Sequence, residues 1–152
     1  MEYNPYILAA LAQLIENATG RSITTLTNQS DRILKLINAE RAKVGAQPLR
    51  IDHSLSMLAS IKSQDMVEKK YFSHHSPTYG SPFDMMKSQG IYYIYAGENL
   101  AIDKHADNAH TALMNSKAHR DNILNPSFTK IGIGIVPKDN GSYVYTQLFI
   151  GS

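Results

Sequence analysis

The chain has 152 residues, a net charge of +2 with histidine neutral, and 43% hydrophobic and 18% charged residues, the balance of a single globular domain able to bury its own core. It contains no cysteine, which excludes disulfides, thiolate nucleophiles and cysteine-bound zinc. Its basic residues are scattered rather than clustered, so no nucleic-acid partner is expected, and its longest apolar run, residues 7–11, is too short for a transmembrane segment.

Residues 1–20 read as an amphipathic helix, with Ile7, Leu8, Leu11, Leu14, Ile15 and Ala18 on one broad face and Gly20 at its end. It is a poor signal peptide, because Glu2 stands where basic residues belong and no small-residue cleavage site follows. Its apolar face either covers the core, the default, or serves a partner, including self-association through this helix. Residues 21–30 are rich in Thr, Ser and Asn and read as a linker.

A helix is expected over about 31–44, with Ile33, Leu34, Ile37 and Val44 on its face and Gly45 at the left-handed cap position. Pro48 marks a short connection. The next helix runs from about 52 to 69, with Asp52 as N-cap and Leu55, Leu58, Ala59, Lys62 and Met66 at helical spacing. His53 reads as a solvated first-turn residue. Residues 71–77 form a loop in which His74 and His75 point to opposite sides. Ser81 and Pro82 open a short helix with Phe83 and Met86 facing inward and Gly90 at its end.

Residues 91–101 read as a strand leading into Gly97-Glu98-Asn99-Leu100. Residues 106–114 read as a helix with Ala106, Ala109 and Leu113 on one side, and His105 and His110 on different faces. Asn115 to Pro126 reads as a last helix, with Ser116 as N-cap through its hydroxyl, Lys117 as first helical residue and a stop near Leu124 set by Pro126. The helix dipole there disfavours an imidazolium at His119. Ile131-Gly132-Ile133-Gly134-Ile135 alternates strictly and pairs through an Asp139-Asn140-Gly141 turn with residues 143–150. Glycines in that strand mark close approach by another element. Helices around antiparallel strands make an α+β domain.

His74, Glu98 and His119 are the residues that could carry chemistry: one in a loop, one at a strand end, one in a helix first turn. Two histidines and a carboxylate suit a divalent ion with open positions, or general acid–base work, or a hydrogen-bonded polar cluster without turnover. Ser116 reads as a cap rather than a nucleophile. Gln147 either lines the same cleft or alternates onto a packed face.

Several stretches together resemble one family. They are Asn38-Ala39-Glu40-Arg41; Tyr71-Phe72-Ser73-His74 with Ser76-Pro77; Pro82-Phe83-Asp84-Met85-Met86; Ala96-Gly97-Glu98-Asn99-Leu100-Ala101; and Met114-Asn115-Ser116 with Ala118-His119-Arg120-Asp121-Asn122-Ile123-Leu124-Asn125-Pro126. Phe128-Thr129-Lys130-Ile131-Gly132-Ile133-Gly134 and Tyr145-Thr146-Gln147-Leu148-Phe149 complete the set. The combination resembles the CAP superfamily of cysteine-rich secretory, antigen 5 and pathogenesis-related proteins, in its bacterial SCP-like branch. The resemblance covers residues 31–152 as one CAP domain and leaves residues 1–30 outside it as helix and linker.

The resemblance implies an α–β–α sandwich with a small antiparallel sheet and a cleft lined by two histidines and two acidic residues. His74 matches the first histidine, Glu98 one glutamate and His119 the second histidine, while the other acidic position falls at Ser116. Leu113 stands where the family usually has tryptophan. A secreted or cell-surface binding module is implied, with a small molecule, lipid or cell-surface ligand as partner, while the chemistry of His74, His119 and Glu98 themselves suits zinc or another divalent cation. The alternative is a metal-dependent hydrolase acting at the same cleft.

Overall fold

The structure is a computed structural model and describes Tyr6 and residues 23–152. Tyr6 apart, the helix expected over residues 1–20 lies outside the described residues. Helix α1 (Ile23–Lys43) begins well before residue 31, so most of the expected linker is helical. Tertiary contact overrides the poor local propensity of its Thr and Asn residues: Leu26 packs against the main core cluster, and Tyr145 Oη donates to Gln29 Oε1 at 3.1 Å. Ile33 and Ile37 are buried as expected, whereas Val44 is exposed. Val44 lies past the last helical turn, where the chain leaves the core through Gly45 at φ +74°.

Arg41, fully buried, explains the geometry of this corner. Its guanidinium donates to the carbonyls of Gln47, Ile123, Asn125 and Phe128 at 2.7, 2.9, 2.9 and 3.0 Å. Four acceptors justify burying the charge, and two of them lie at the end of the helix that carries His119.

A two-residue strand, β1 (Arg50–Ile51), follows and pairs in parallel with Lys130 and Ile131. Asp52 then caps α2 (His53–Lys69) by accepting from Leu55 N at 2.9 Å. Ser81 and Asp84 form a reciprocal capping box on α3 (Pro82–Ser88). Pro82, Met85 and Met86 are the buried residues of that helix. Phe83, expected inside, is exposed and leans on Tyr93 with ring centroids 6.4 Å apart.

Strand β2 (Tyr95–Asp103) starts later than residue 91. Ile91 is tied back to α3, its N–H donating to Met86 O at 3.0 Å, and only Ile94 reaches the sheet, donating to Gly151 O at 2.8 Å. Helices α4 (Ala106–Met114) and α5 (Lys117–Leu124) follow within the expected bounds. Strands β3 (Lys130–Pro137) and β4 (Tyr143–Gly151) close the chain as a hairpin, with Asn140 and Gly141 at positive φ in the turn.

The sheet order is β1-β3-β4-β2. β4 is antiparallel to both neighbours, so the small sheet is antiparallel except for β1, and the class is α+β. One face of the hairpin carries Ile131, Ile133, Ile135, Tyr145 and Phe149 into a core shared with α1, α4 and α5. The other face is covered by α2, which lies almost on the backbone of β3: a Cβ at Gly132 would come 2.2 Å from Leu55 C, and one at Gly134 2.2 Å from Ala59 C. The sheet is thus sandwiched between two helical layers, with β2 as an edge strand. Among the described residues no helix is long and apolar enough to cross a membrane.

Candidate functional site

The site forms around β2, where the two helical layers meet at the sheet edge. Glu98 sits mid-strand rather than at a strand end. Its carboxylate is buried, with 2% of the side chain exposed, and Oε1 accepts from His74 Nδ1 at 2.7 Å. Oε2 is buried without a hydrogen-bond partner. Burial pushes the Glu98 carboxyl up, against the downward pull of the His74 hydrogen bond and of the Lys62 and His74 charges.

His74 hangs from a loop that α2 holds in several places. Ser76 Oγ donates to Asp65 Oδ2 at 2.6 Å and accepts from the N–H groups of Thr78 and Tyr79 at 3.1 and 3.0 Å. Tyr71 Oη also donates to Asp65. The Lys62 ammonium donates to the His74 carbonyl. The His74 imidazole itself is largely exposed. His75 is exposed and lies near enough to Asp84 for its charge to act there.

His119 arrives from the other layer. Asn99 points away from Glu98, to the α5 side, where its Nδ2 donates to His119 O at 3.1 Å and to Gln147 Oε1 at 3.2 Å. Asn122 Nδ2 donates to Asn99 Oδ1 at 2.9 Å and to Glu98 O at 3.2 Å, which fastens α5 along the strand edge. His119 lies close enough to His74 to feel its charge. Burial and that charge hold its imidazole below the ordinary value. The direction matches the sequence expectation, but the causes are desolvation and His74.

Ser116 occupies the N-cap position of α5 with extended backbone, yet makes no side-chain cap bond. Its hydroxyl is hydrogen-bonded to His119 Nδ1 at 2.8 Å instead, because the first-turn imidazole folds back over the cap. Both histidines therefore have Nδ1 engaged, leaving Nε2 for a ligand. Gln147 is fully buried beneath Asn99, and its Nε2 has no partner.

Three donors facing a common point are not formed: among the described residues no group of three or more His, Cys, Asp or Glu could hold a metal ion. Glu98 turns toward His74 rather than toward a shared centre. What the carboxylate does in this arrangement is orient the His74 imidazole. Sequence reasoning missed Asn99 and Asn122 as fasteners and Lys62 as a neighbour of the site. The signal for Lys62 was present, since it stands at a core position of the α2 stripe.

A family model described as the cysteine-rich secretory protein family, CAP, matches residues 34–149. The chain belongs to this family. It is 52% identical over 136 residues to the uncharacterized protein YkwD of Bacillus subtilis, an alignment covering 89% of this chain and 52% of that protein. A second Bacillus subtilis protein, the uncharacterized membrane protein YlbC, is 37% identical over 127 residues, covering 82% of this chain and 35% of that protein. This CAP chain thus spans about half the length of one curated relative and about a third of the other.

Among solved structures, an extracellular protein containing an SCP domain from Bacillus anthracis superposes with a TM-score of 0.72 at 35% identity, over 80% of this chain and 40% of that one. An outer surface protein from Borrelia burgdorferi gives a TM-score of 0.76 at 19% identity, over 82% and 92% of the two chains, a likeness of fold. The bacterial CAP assignment and the α+β class stand on these matches.

Proposed function

We propose that this CAP domain is an extracytoplasmic binding module whose His74–His119 cleft takes a divalent cation such as zinc, held weakly and reversibly. The observation that carries the reading is the 2.7 Å hydrogen bond from His74 Nδ1 to Glu98 Oε1. A histidine that donates one ring N–H to a carboxylate has its tautomer and orientation fixed for a metal at the other nitrogen. His119, oriented by Ser116 at 2.8 Å, supplies a second imidazole. With no cysteine in the sequence and no third ligand gathered among the described residues, the site leaves open positions for water or for a ligand group from a small molecule, lipid or cell surface. The extracytoplasmic placement rests on relatives described as extracellular and as an outer surface protein. Hydrolysis is not part of the reading, because a catalytic zinc site has three protein ligands and Glu98 is committed to His74.

Isothermal titration of zinc into metal-stripped protein tests this. His119→Ala should lower affinity by at least about tenfold, whereas His75→Ala should leave it unchanged. Binding should weaken as pH falls, since protons compete for the imidazole lone pairs. Burial and the His74 charge hold the His119 imidazole down, so its share of the loss comes at lower pH than for a free imidazole. Equal affinity in wild type and His119→Ala would leave the polar cluster as a structural tie.

A further inference from the structure

Lys62 is a lysine in a core position. The inward stripe of α2 runs Leu55, Leu58, Ala59, Lys62 and Met66, and Lys62 is fully buried with them. A buried ammonium carries a desolvation cost of several kcal/mol unless it is well paired, and an unbranched apolar side chain of similar length would fill the space without that cost. Yet Lys62 takes part in none of the ion pairs among the described residues. Its Nζ donates to the backbone carbonyl of His74. It stands 5.5 Å from the centroid of the Tyr71 ring, and it feels the charges of Glu98 and Asp65. Every one of these contacts is to the His74 loop, to its anchor, or to the carboxylate that His74 meets.

We propose that Lys62 is a positioning residue of the His74–Glu98 pair. It holds the carbonyl from which the imidazole hangs, and its charge acts on the carboxylate that the imidazole addresses. One side chain of α2 thereby sets both partners of a hydrogen bond whose other end lies on β2. Glu98 Oε2, buried and without a hydrogen-bond partner, makes the demand for such a charge concrete. A carboxylate with one idle oxygen in a nearly dry environment is stabilised by a cation within reach of its field. The Tyr71 ring, stapled to Asp65, closes the ammonium in from the loop side.

The role differs from packing in a way that can be measured. It rests on the reading of the cleft given above, so the test includes a readout that needs no metal. Lys62→Met and Lys62→Gln are prepared beside wild type. Each is examined by circular dichroism, by thermal unfolding, by nitrogen-15 NMR of the histidine rings in metal-free protein, and by zinc titration.

The expected result is a folded Lys62→Met protein with a melting temperature no lower than wild type. In it the downfield, slowly exchanging His74 Nδ1 proton is lost or moved upfield. Zinc affinity falls by about 10–100-fold, the range for losing an outer support of a metal-binding histidine. Lys62→Gln keeps an N–H donor without the charge and should fall between the two. Unchanged His74 ring signals in a folded Lys62→Met protein would overturn the proposal, and so would failure of both variants to fold, since Lys62 would then serve the core. If wild type binds no zinc while the ring signals still depend on Lys62, the metal reading fails and the positioning role stands.

Discussion

At the scale of single residues, the two buried or half-buried histidines make the protein sensitive to acid. His110 is buried in α4, with Nδ1 lacking a partner. Burial holds its imidazole below the ordinary value, outweighing the opposing pull of Glu40 and Asp107. His119 is held down as well, by burial and by His74. A depressed histidine pKa means that the unfolded chain takes up protons before the folded one does. The associated stability is complete above the unfolded value of 6.5 and is lost as pH falls through the folded values. Urea denaturation at about pH 7.5 and about pH 5.5 should show lower stability at the lower pH, with a smaller drop in His110→Leu. An identical drop in that variant would remove His110 from the account. The sequence placed His105 and His110 on different faces of a helix, but could not show that the inward one meets no acceptor.

At the scale of elements, the contact between α2 and β3 leaves no room for a side chain on the covered face. The Ile-Gly alternation of β3 was legible because isoleucine and glycine differ so much in bulk that only a flat, closely covered face fits them. At Gly134 the added Cβ would meet backbone, with Ala59 C at 2.2 Å and Ser60 N at 2.3 Å, and neither atom can rotate away. Gly134→Ala should therefore destabilise by at least about 1–3 kcal/mol, the usual range for overpacking. Equilibrium unfolding in urea measures it, and a loss under about half a kcal/mol, within the scatter of surface substitutions, would mean that α2 slides freely on the sheet. Other elements were harder to read. β1 is two residues long, too short to carry a pattern. The start of β2 was misplaced because Ile91, Tyr92 and Tyr93 have strand composition but make no ladder, Ile91 being tied back to Met86 of α3. Residues 23–30 look like linker by composition and are helical because Leu26 and Gln29 have partners elsewhere.

At the scale of the whole molecule, those contacts move the boundary of the folding unit. A chain lacking residues 1–22 should still fold, since it keeps α1 and its contacts with the core. A chain lacking residues 1–30 should melt lower, because it loses the packing of Leu26 and the Tyr145–Gln29 hydrogen bond. Equal melting of the two would show that the first turns of α1 add nothing. The site residues were legible only through the family motifs, since His74, Glu98 and His119 are far apart in the chain and spacing alone says nothing about convergence. Geometry then altered their roles: Glu98 serves His74, Ser116 serves His119, and the fasteners Asn99 and Asn122 come from the same motifs without having stood out as functional.

The position of β2 at the edge of the sheet has one more consequence. Glu98 and Asn99 are neighbours in sequence, yet they face opposite layers, one holding the loop of His74 and the other the helix of His119. Asn122, reaching to Glu98 O at 3.2 Å, fastens the His119 helix to the same strand. A ligand gripped by both imidazoles would act as a clasp across a seam. Occupancy would then be felt as cohesion between two helical layers that are otherwise joined through the sheet between them.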